Sequence, residues 1–285
     1  MGDLAIIHSN VTPGANVDPP GSDINAGTKA IAAGTSIGAG EIALLAAQGY
    51  SAVNVYRVPR VAILTTGNEL IEVDQELRPG KIRDSNRYML MSACREAKAD
   101  AVFWGSLPDE LEATKKALLM AGEESDLVVS TGGVSVGNYD LVRKALLEIA
   151  DEALFWKVRM KPGTPVILVA RNNKLYFGLS GKPTGSLLNF ELLVKPVLRK
   201  LMGCQTFFPP TVEAYIQTDY NKVSNTSDRF LWSKATYCQE WQVTPAISGV
   251  FSELLGFNAL AVILSGRGRL AKGEKVKTIL TKSMF

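Results

Sequence analysis

The stretch Leu127-Val128-Val129-Ser130-Thr131-Gly132-Gly133-Val134-Ser135-Val136-Gly137 passes from apolar β-formers into glycines and hydroxyls, and residues 139–149 then take up helical spacing. A continuous apolar run has no solvated face, so it reads as a strand covered on both sides. The glycine turn after it puts a loop at the carboxyl edge of a parallel sheet. Glycines there let backbone N–H groups approach an anion, and the following helix N-terminus adds positive potential. Thr131 and Ser135 add hydroxyl donors, so Thr131, Gly132, Gly133, Val134 and Ser135 are candidate contacts to a phosphate. The competing reading is a tight strand-to-helix turn that needs glycine for its backbone angles alone.

Upstream, the same unit occurs twice more. Val61-Ala62-Ile63-Leu64 is a buried-strand run, and residues 86–98 have helical spacing through Met89, Leu90, Cys94 and Ala97. Residues 101–104 read as another strand, and 109–123 as a helix with Asp109 and Glu110 near its positive end. Strand and helix alternating in this way mark a doubly wound α/β domain, with expected bounds 58–204. Its last part holds a hairpin, 166–170 and 174–178 around Asn172-Asn173, and a long helix over 184–202. Pro196 implies a kink in that helix and Gly203 a C-cap. Past Phe207 helical periodicity gives way to strand candidates at 212–217, 259–264 and 276–280, a barrel-like β domain over 205–285. Residues 1–57, broken by Pro13, Gly14, Pro19, Pro20, Gly21, Gly27 and Gly34, read as a small loop-rich β module with a short helix at 41–48 and a strand at 52–56.

Composition narrows the chemistry. The 285 residues are 46% hydrophobic with a net charge of +3, and their charges are interspersed, so no nucleic-acid partner is expected. The longest apolar runs, 165–170 and 259–264, are too short for a bilayer and have no signal-peptide flanks, so the expected location is the cytoplasm. Cys94, Cys204 and Cys238 lack the paired spacing of a zinc site and read as reduced bystanders. The single histidine, His8, lies far from every candidate loop in sequence, which disfavours histidine acid–base chemistry, a Ser-His-Asp triad and a polyhistidine metal site. A catalytic metal would be held by carboxylates, phosphates and water, which suits Mg²⁺. No Walker sequence occurs, and the G-x-G-x-x-A matches at 38–43 and 266–271 follow no convincing strand.

Other loops fall at the sheet edge that carries the glycine loop. Thr66, Gly67 and Glu69 follow the first strand, and Asp84, Ser85 and Asn86 open the next helix. Glu69 could coordinate Mg²⁺, and the polar trio could fix a ring or phosphate; helix capping is the equal alternative for Asp84 and Ser85, and Asp109 carries the same ambiguity. Asp140 follows the glycine loop, where a carboxylate is sensible if a metal intervenes. Lys157, Arg159 and Lys161 alternate ahead of Pro162-Gly163-Thr164-Pro165, which on a strand would aim three cations to one face. Gly178-Leu179-Ser180-Gly181-Lys182-Pro183 turns from a strand into the long helix, and Gly181 and Lys182 offer another anion contact.

In this order, Gly14 to Val17, Gly21 to Gly27, Thr66 to Leu70, Gly80 to Arg87, Thr131 to Gly137 with Asp140, and Lys161 to Pro165 resemble the molybdopterin molybdenumtransferases, the family of bacterial MoeA and the gephyrin E domain. The resemblance implies insertion of molybdenum from molybdate into adenylylated molybdopterin, with divalent-metal-assisted loss of AMP, in a homodimer with sites between subunits. It implies that residues 131–135 hold the phosphate-bearing region of the pterin and that Glu69 and Asp140 serve metal or nucleotide. By the same token Asp109 shares the cleft, and Lys157 and Lys161 steady molybdate or phosphate. The alternative is a non-catalytic molybdopterin-binding or scaffold protein. The family's N-terminal Ser-Ala-Met-Asp-Gly-Tyr-Ala type motif has no counterpart here, and Ser180 and Lys182 stand where the family has proline and asparagine. Asn138 replaces a frequent acidic residue, and Phe230-Leu231-Trp232 lacks the usual arginine.

Overall fold

A computed structural model describes the chain except for residues 1, 3, 5, 7, 136–139, 223–225, 247–249 and 283–285. Val136, Gly137, Asn138 and the expected helix start at Tyr139 therefore lie outside the described residues. Two compact units result, Met1–Val53 and Asn54–Phe285. The first has the expected short helix, Ala39–Ala47, but no strand among its described residues. The expected β module is corrected accordingly: Pro13, Pro19 and Pro20 and the turns between them leave no segment long enough for a ladder. Residues 52–56 likewise lie in no strand.

In the second unit a six-stranded sheet runs in the order Asp100–Leu107, Arg60–Thr66, Leu127–Thr131, Lys174–Leu179, Ile167–Arg171 and Glu152–Trp156. The first four strands are parallel, and the last three meet antiparallel. Burial on both faces follows from the apolar runs. Val61, Ile63, Leu127, Val129 and Phe177 pack with Leu90 and Cys94 of helix Ser85–Glu96 and with Leu188 and Leu198 of the long helix. Ala62, Leu64, Val128 and Tyr176 turn the other way, onto Leu118 of helix Leu111–Glu123 and Val142 and Leu146 of helix Leu141–Ile149. That alternation is the doubly wound fold expected from sequence. Burial also pushes the Cys94 thiol up to about 12, as suits an inert core residue. Asn172 and Asn173 close the hairpin with φ of +48° and +58°, the left-handed pair that a two-residue turn of this hand requires.

The long helix is made of three parts: Pro183–Asn189, a π-helical turn Phe190–Val194, and Lys195–Leu201. Pro196 lacks an N–H and crowds the preceding turn, and the wider π turn just before it absorbs both defects. Gly203 follows with φ +72°, as expected for the cap.

The C-terminal part is a closed five-stranded barrel in the order Glu240–Pro245, Thr211–Ile216, Lys275–Leu280, Ala259–Ile263 and Asp228–Cys238, the last pairing back to the first. The hairpin formed by Asp228–Cys238 and Glu240–Pro245 is additional to the three strands expected. Trp232, Phe257 and Leu260 lie in the same core cluster as the sheet residues Val61 and Ile63, so the barrel and the α/β layers share one core. Met160–Lys161 extends the barrel by pairing in parallel with Asp228 and Arg229.

A buried ion pair adds to this junction. The Lys195 ammonium donates to Glu191 Oε2 at 2.8 Å and to the Thr281 carbonyl at 2.8 Å. Burial holds the Glu191 carboxyl above the usual carboxylate range despite Lys195. Just above the ordinary glutamate value the folded chain therefore binds more protons here than the unfolded chain, and this contribution to stability is lost as pH rises through the folded value. Glu191→Gln removes the dependence, so the stability of the parent relative to the variant is expected to fall as pH rises above the ordinary glutamate value of 4.5. Urea midpoints for both chains from that value upward check this; parallel curves would refute it.

Candidate functional site

The four parallel strands end at one edge, with Thr66 level with Leu107, and Thr131 level with Thr65 and Leu179. The turns that leave them enclose a cavity of about 890 Å³, a size that suits a cofactor or nucleotide. Of the residues singled out in the sequence, Thr66, Gly67, Glu69, Asn86, Asp109, Thr131, Gly132, Gly133, Val134, Ser135, Asp140, Pro162, Gly181 and Lys182 line it. Asn68, Ile82, Thr164 and Gly185 line it too. Asn68 and Ile82 stand inside sequence motifs, whereas nothing in the local pattern marks Gly185.

Thr131 sits at the centre of the scaffold, 2% exposed. Its hydroxyl donates to the Ser180 carbonyl at 2.9 Å and accepts from Asn86 Nδ2 at 3.0 Å, and the same Asn86 amide donates to the Gly181 carbonyl at 2.8 Å. The hydroxyl expected to bind an anion thus links turns instead, and Ser135, which is exposed, is the hydroxyl of the pair left facing the cavity. Asn86 Oδ1 is buried with no hydrogen-bond partner among the described residues.

Gly132 and Gly133 have φ of +95° and +62°. A Cβ would come within 2.9 Å of Thr66 Cγ2 at the first and 2.9 Å of Val142 Cγ2 at the second. The glycines are accordingly needed by the turn itself, and the turn in the same conformation lines the cavity.

Among the described residues charge in the cavity is unbalanced, with three carboxylates, Glu69, Asp109 and Asp140, against one ammonium, Lys182. Asp109 is not the cap of its helix: Glu110 accepts from the Glu112 and Ala113 amides at 3.0 and 2.8 Å. Asp109 instead accepts from Asn68 Nδ2 at 3.0 Å, and Lys81 holds the Asn68 carbonyl at 2.6 Å. Asp140 stands at the N-cap of helix Leu141–Ile149. A surplus of carboxylates suits a phosphate ligand only when a cation accompanies it. Among the described residues no three His, Cys, Asp or Glu side chains converge as a metal cage.

Four expected contacts are not brought to the cavity lining. Asp84 is the N-cap of helix Ser85–Glu96, accepting from the Arg87 amide at 3.0 Å, so capping accounts for it, and Ser85 is that helix's first residue. Lys157 and Lys161 do not share a strand face, because only Met160–Lys161 is strand and Lys157 has φ +66°. The Lys157 ammonium lies 4.3 Å from the centroid of the Trp156 ring. Lys161 is exposed and joined to the cavity-lining Pro162 by a cis peptide.

A probable molybdopterin binding domain matches residues 62–200, the region that holds most of this cavity. The molybdopterin molybdenumtransferase of Staphylococcus aureus is 32% identical over 285 residues, covering 99% of this chain and 68% of that protein. The chain belongs to the molybdopterin molybdenumtransferase family. The Staphylococcus epidermidis molybdenumtransferase is 36% identical over 272 residues, 94% of this chain. Among solved structures, a molybdopterin biosynthesis MoeA protein of Pyrococcus horikoshii superposes with a TM-score of 0.75 at 30% identity over 88% of this chain. This molybdenumtransferase-family chain spans 65% of the S. epidermidis relative and 61% of the Pyrococcus protein.

In this family member the glycine turn has a folding role that can be measured without ligand. Gly133→Ala forces a Cβ toward Val142 at a left-handed φ, which costs roughly 1–2 kcal/mol. Urea unfolding of the unliganded variant is expected to show that loss, and an unchanged midpoint would show that the turn does not need its glycine.

Proposed function

We propose that the chain binds adenylylated molybdopterin in the cavity at the strand ends and inserts molybdenum from molybdate, with release of AMP. One observation carries the reading: the molybdopterin-binding region folds so that the glycine turn, three carboxylates and Lys182 line one cavity of cofactor size. The Gly132 to Ser135 turn would hold the phosphate-bearing part of the ligand through backbone N–H groups. The orphaned Asn86 Oδ1 suits an N–H of the pterin ring. Lys182, rather than Lys157 or Lys161, would balance phosphate or molybdate charge, since it alone of the three lines the cavity.

Glu69, Asp109 and Asp140 fit a Mg²⁺ ion that is completed by substrate phosphates and water rather than caged by protein. When bound, such an ion supplies charge neutralisation at the phosphate bond that breaks as AMP leaves. The carboxylates orient the phosphates, Lys182 holds the oxyanion, and the turns exclude bulk water, so no histidine is required. The family resemblance supports a cytoplasmic homodimer, and among the described residues no helix is long and apolar enough to cross a membrane.

Incubation of the chain with molybdopterin-AMP, Mg²⁺ and molybdate should release AMP. Glu69→Gln combined with Asp140→Asn should slow release by about 10²–10³-fold. Retention of ligand with no AMP released by the parent chain would overturn the enzymatic reading in favour of a binding or scaffold protein.

A further inference from the structure

Asn189 lies beneath the cavity and is not part of its lining, yet its side chain is spent on two of the cavity's walls. It ends the first part of the long helix and is fully buried. Its Oδ1 accepts from the Ser180 amide at 3.2 Å, while Nδ2 donates to the Gly163 carbonyl at 2.8 Å and to Met160 Sδ at 3.4 Å. The partners fix which way the amide points: an N–H must face Oδ1, and a carbonyl must face Nδ2. One side chain therefore bridges the turn carrying Pro162 to Pro165 and the turn carrying Ser180 to Lys182.

The fit around that bridge is close. A Cβ on Gly163 would come within 2.7 Å of Asn189 Nδ2 and 3.0 Å of the Gly185 carbonyl, and one on Gly185 within 2.9 Å of Ser180 Oγ. A helix interior is filled equally well by leucine, and an amide is costly to bury unless each of its polar atoms is used. Both backbone groups that it serves lie in turns, outside any ladder. Polarity at 189 thus serves the cavity walls and not the helix.

We infer that Asn189 is a positioning residue that fixes the separation of the Pro162–Gly163 and Ser180–Lys182 turns and thereby sets affinity for the phosphate-bearing ligand. The ligand part rests on the function proposed above. Asn189→Leu removes both bridges at similar volume, and Asn189→Asp keeps the acceptor for Ser180 but sets an oxygen against the Gly163 carbonyl.

Hydrogen–deuterium exchange on the unliganded full chain is the first arm of the test. In both variants, peptides covering 160–165 and 178–182 should exchange together about 10-fold faster, with 259–263 of the barrel unchanged. The second arm is calorimetric titration with AMP, whose affinity should fall about 10-fold in the folded Asn189→Asp chain. Faster exchange throughout the chain, in one turn only or in neither would overturn the inference, as would loosened turns with parental AMP affinity. If the parent chain binds no AMP, the ligand reading fails by itself, and the exchange arm still decides whether Asn189 couples the turns.

Discussion

The Thr131 hydroxyl holds two turns and a helix start at one level, donating to the Ser180 carbonyl and accepting from Asn86, whose amide also donates to the Gly181 carbonyl. Because the group is buried, each of these bonds must be kept or its desolvation cost is left uncompensated. The turns after Leu127–Thr131 and Lys174–Leu179 and the start of helix Ser85–Glu96 are thereby locked together. Glycine at 132 and 133 lets the loop lie against Thr66, and the strand ends then surround a space instead of closing over it. The cavity is a consequence of how parallel strands must end when their polar turns are tied to one another.

Elements with a continuous apolar run or a helical spacing were legible from the residues. Val61 to Leu64 and Leu127 to Val129 announce strands covered on both faces, and the buried positions Leu90 and Cys94 are helically spaced. Pro196 announced a kink, although only the packed structure shows the π turn that accommodates it. Elements without such a pattern were not legible. Asp228–Cys238 mixes polar and apolar residues because one side of it meets the barrel core and Trp232 on the other meets the α/β layer. Met160–Lys161 pairs across some seventy residues of chain, and this pairing, with the left-handed Lys157, breaks the row of cations that alternation suggested.

The same distinction applies to the site. Glycines and acids at strand ends were visible as motifs, whereas the difference between a capping and a ligand-facing carboxylate depends on which backbone amides lie within reach. Asp84 meets the Arg87 amide and is consumed as a cap, while Glu110 caps its own helix and leaves Asp109 to Asn68. The family match supports the molybdopterin class proposed for this cavity, and among the described residues three acids against Lys182 favour a phosphate that arrives with a cation.

Amide chemical-shift mapping of the chain with AMP and Mg²⁺ tests most directly whether this cavity is the ligand site. Saturable shifts are expected at Gly67, Gly132, Gly133, Ser135, Gly163 and Gly181, which line the cavity. Shifts confined to barrel residues such as Lys234 and Thr244, or none with AMP in large excess, would contradict it.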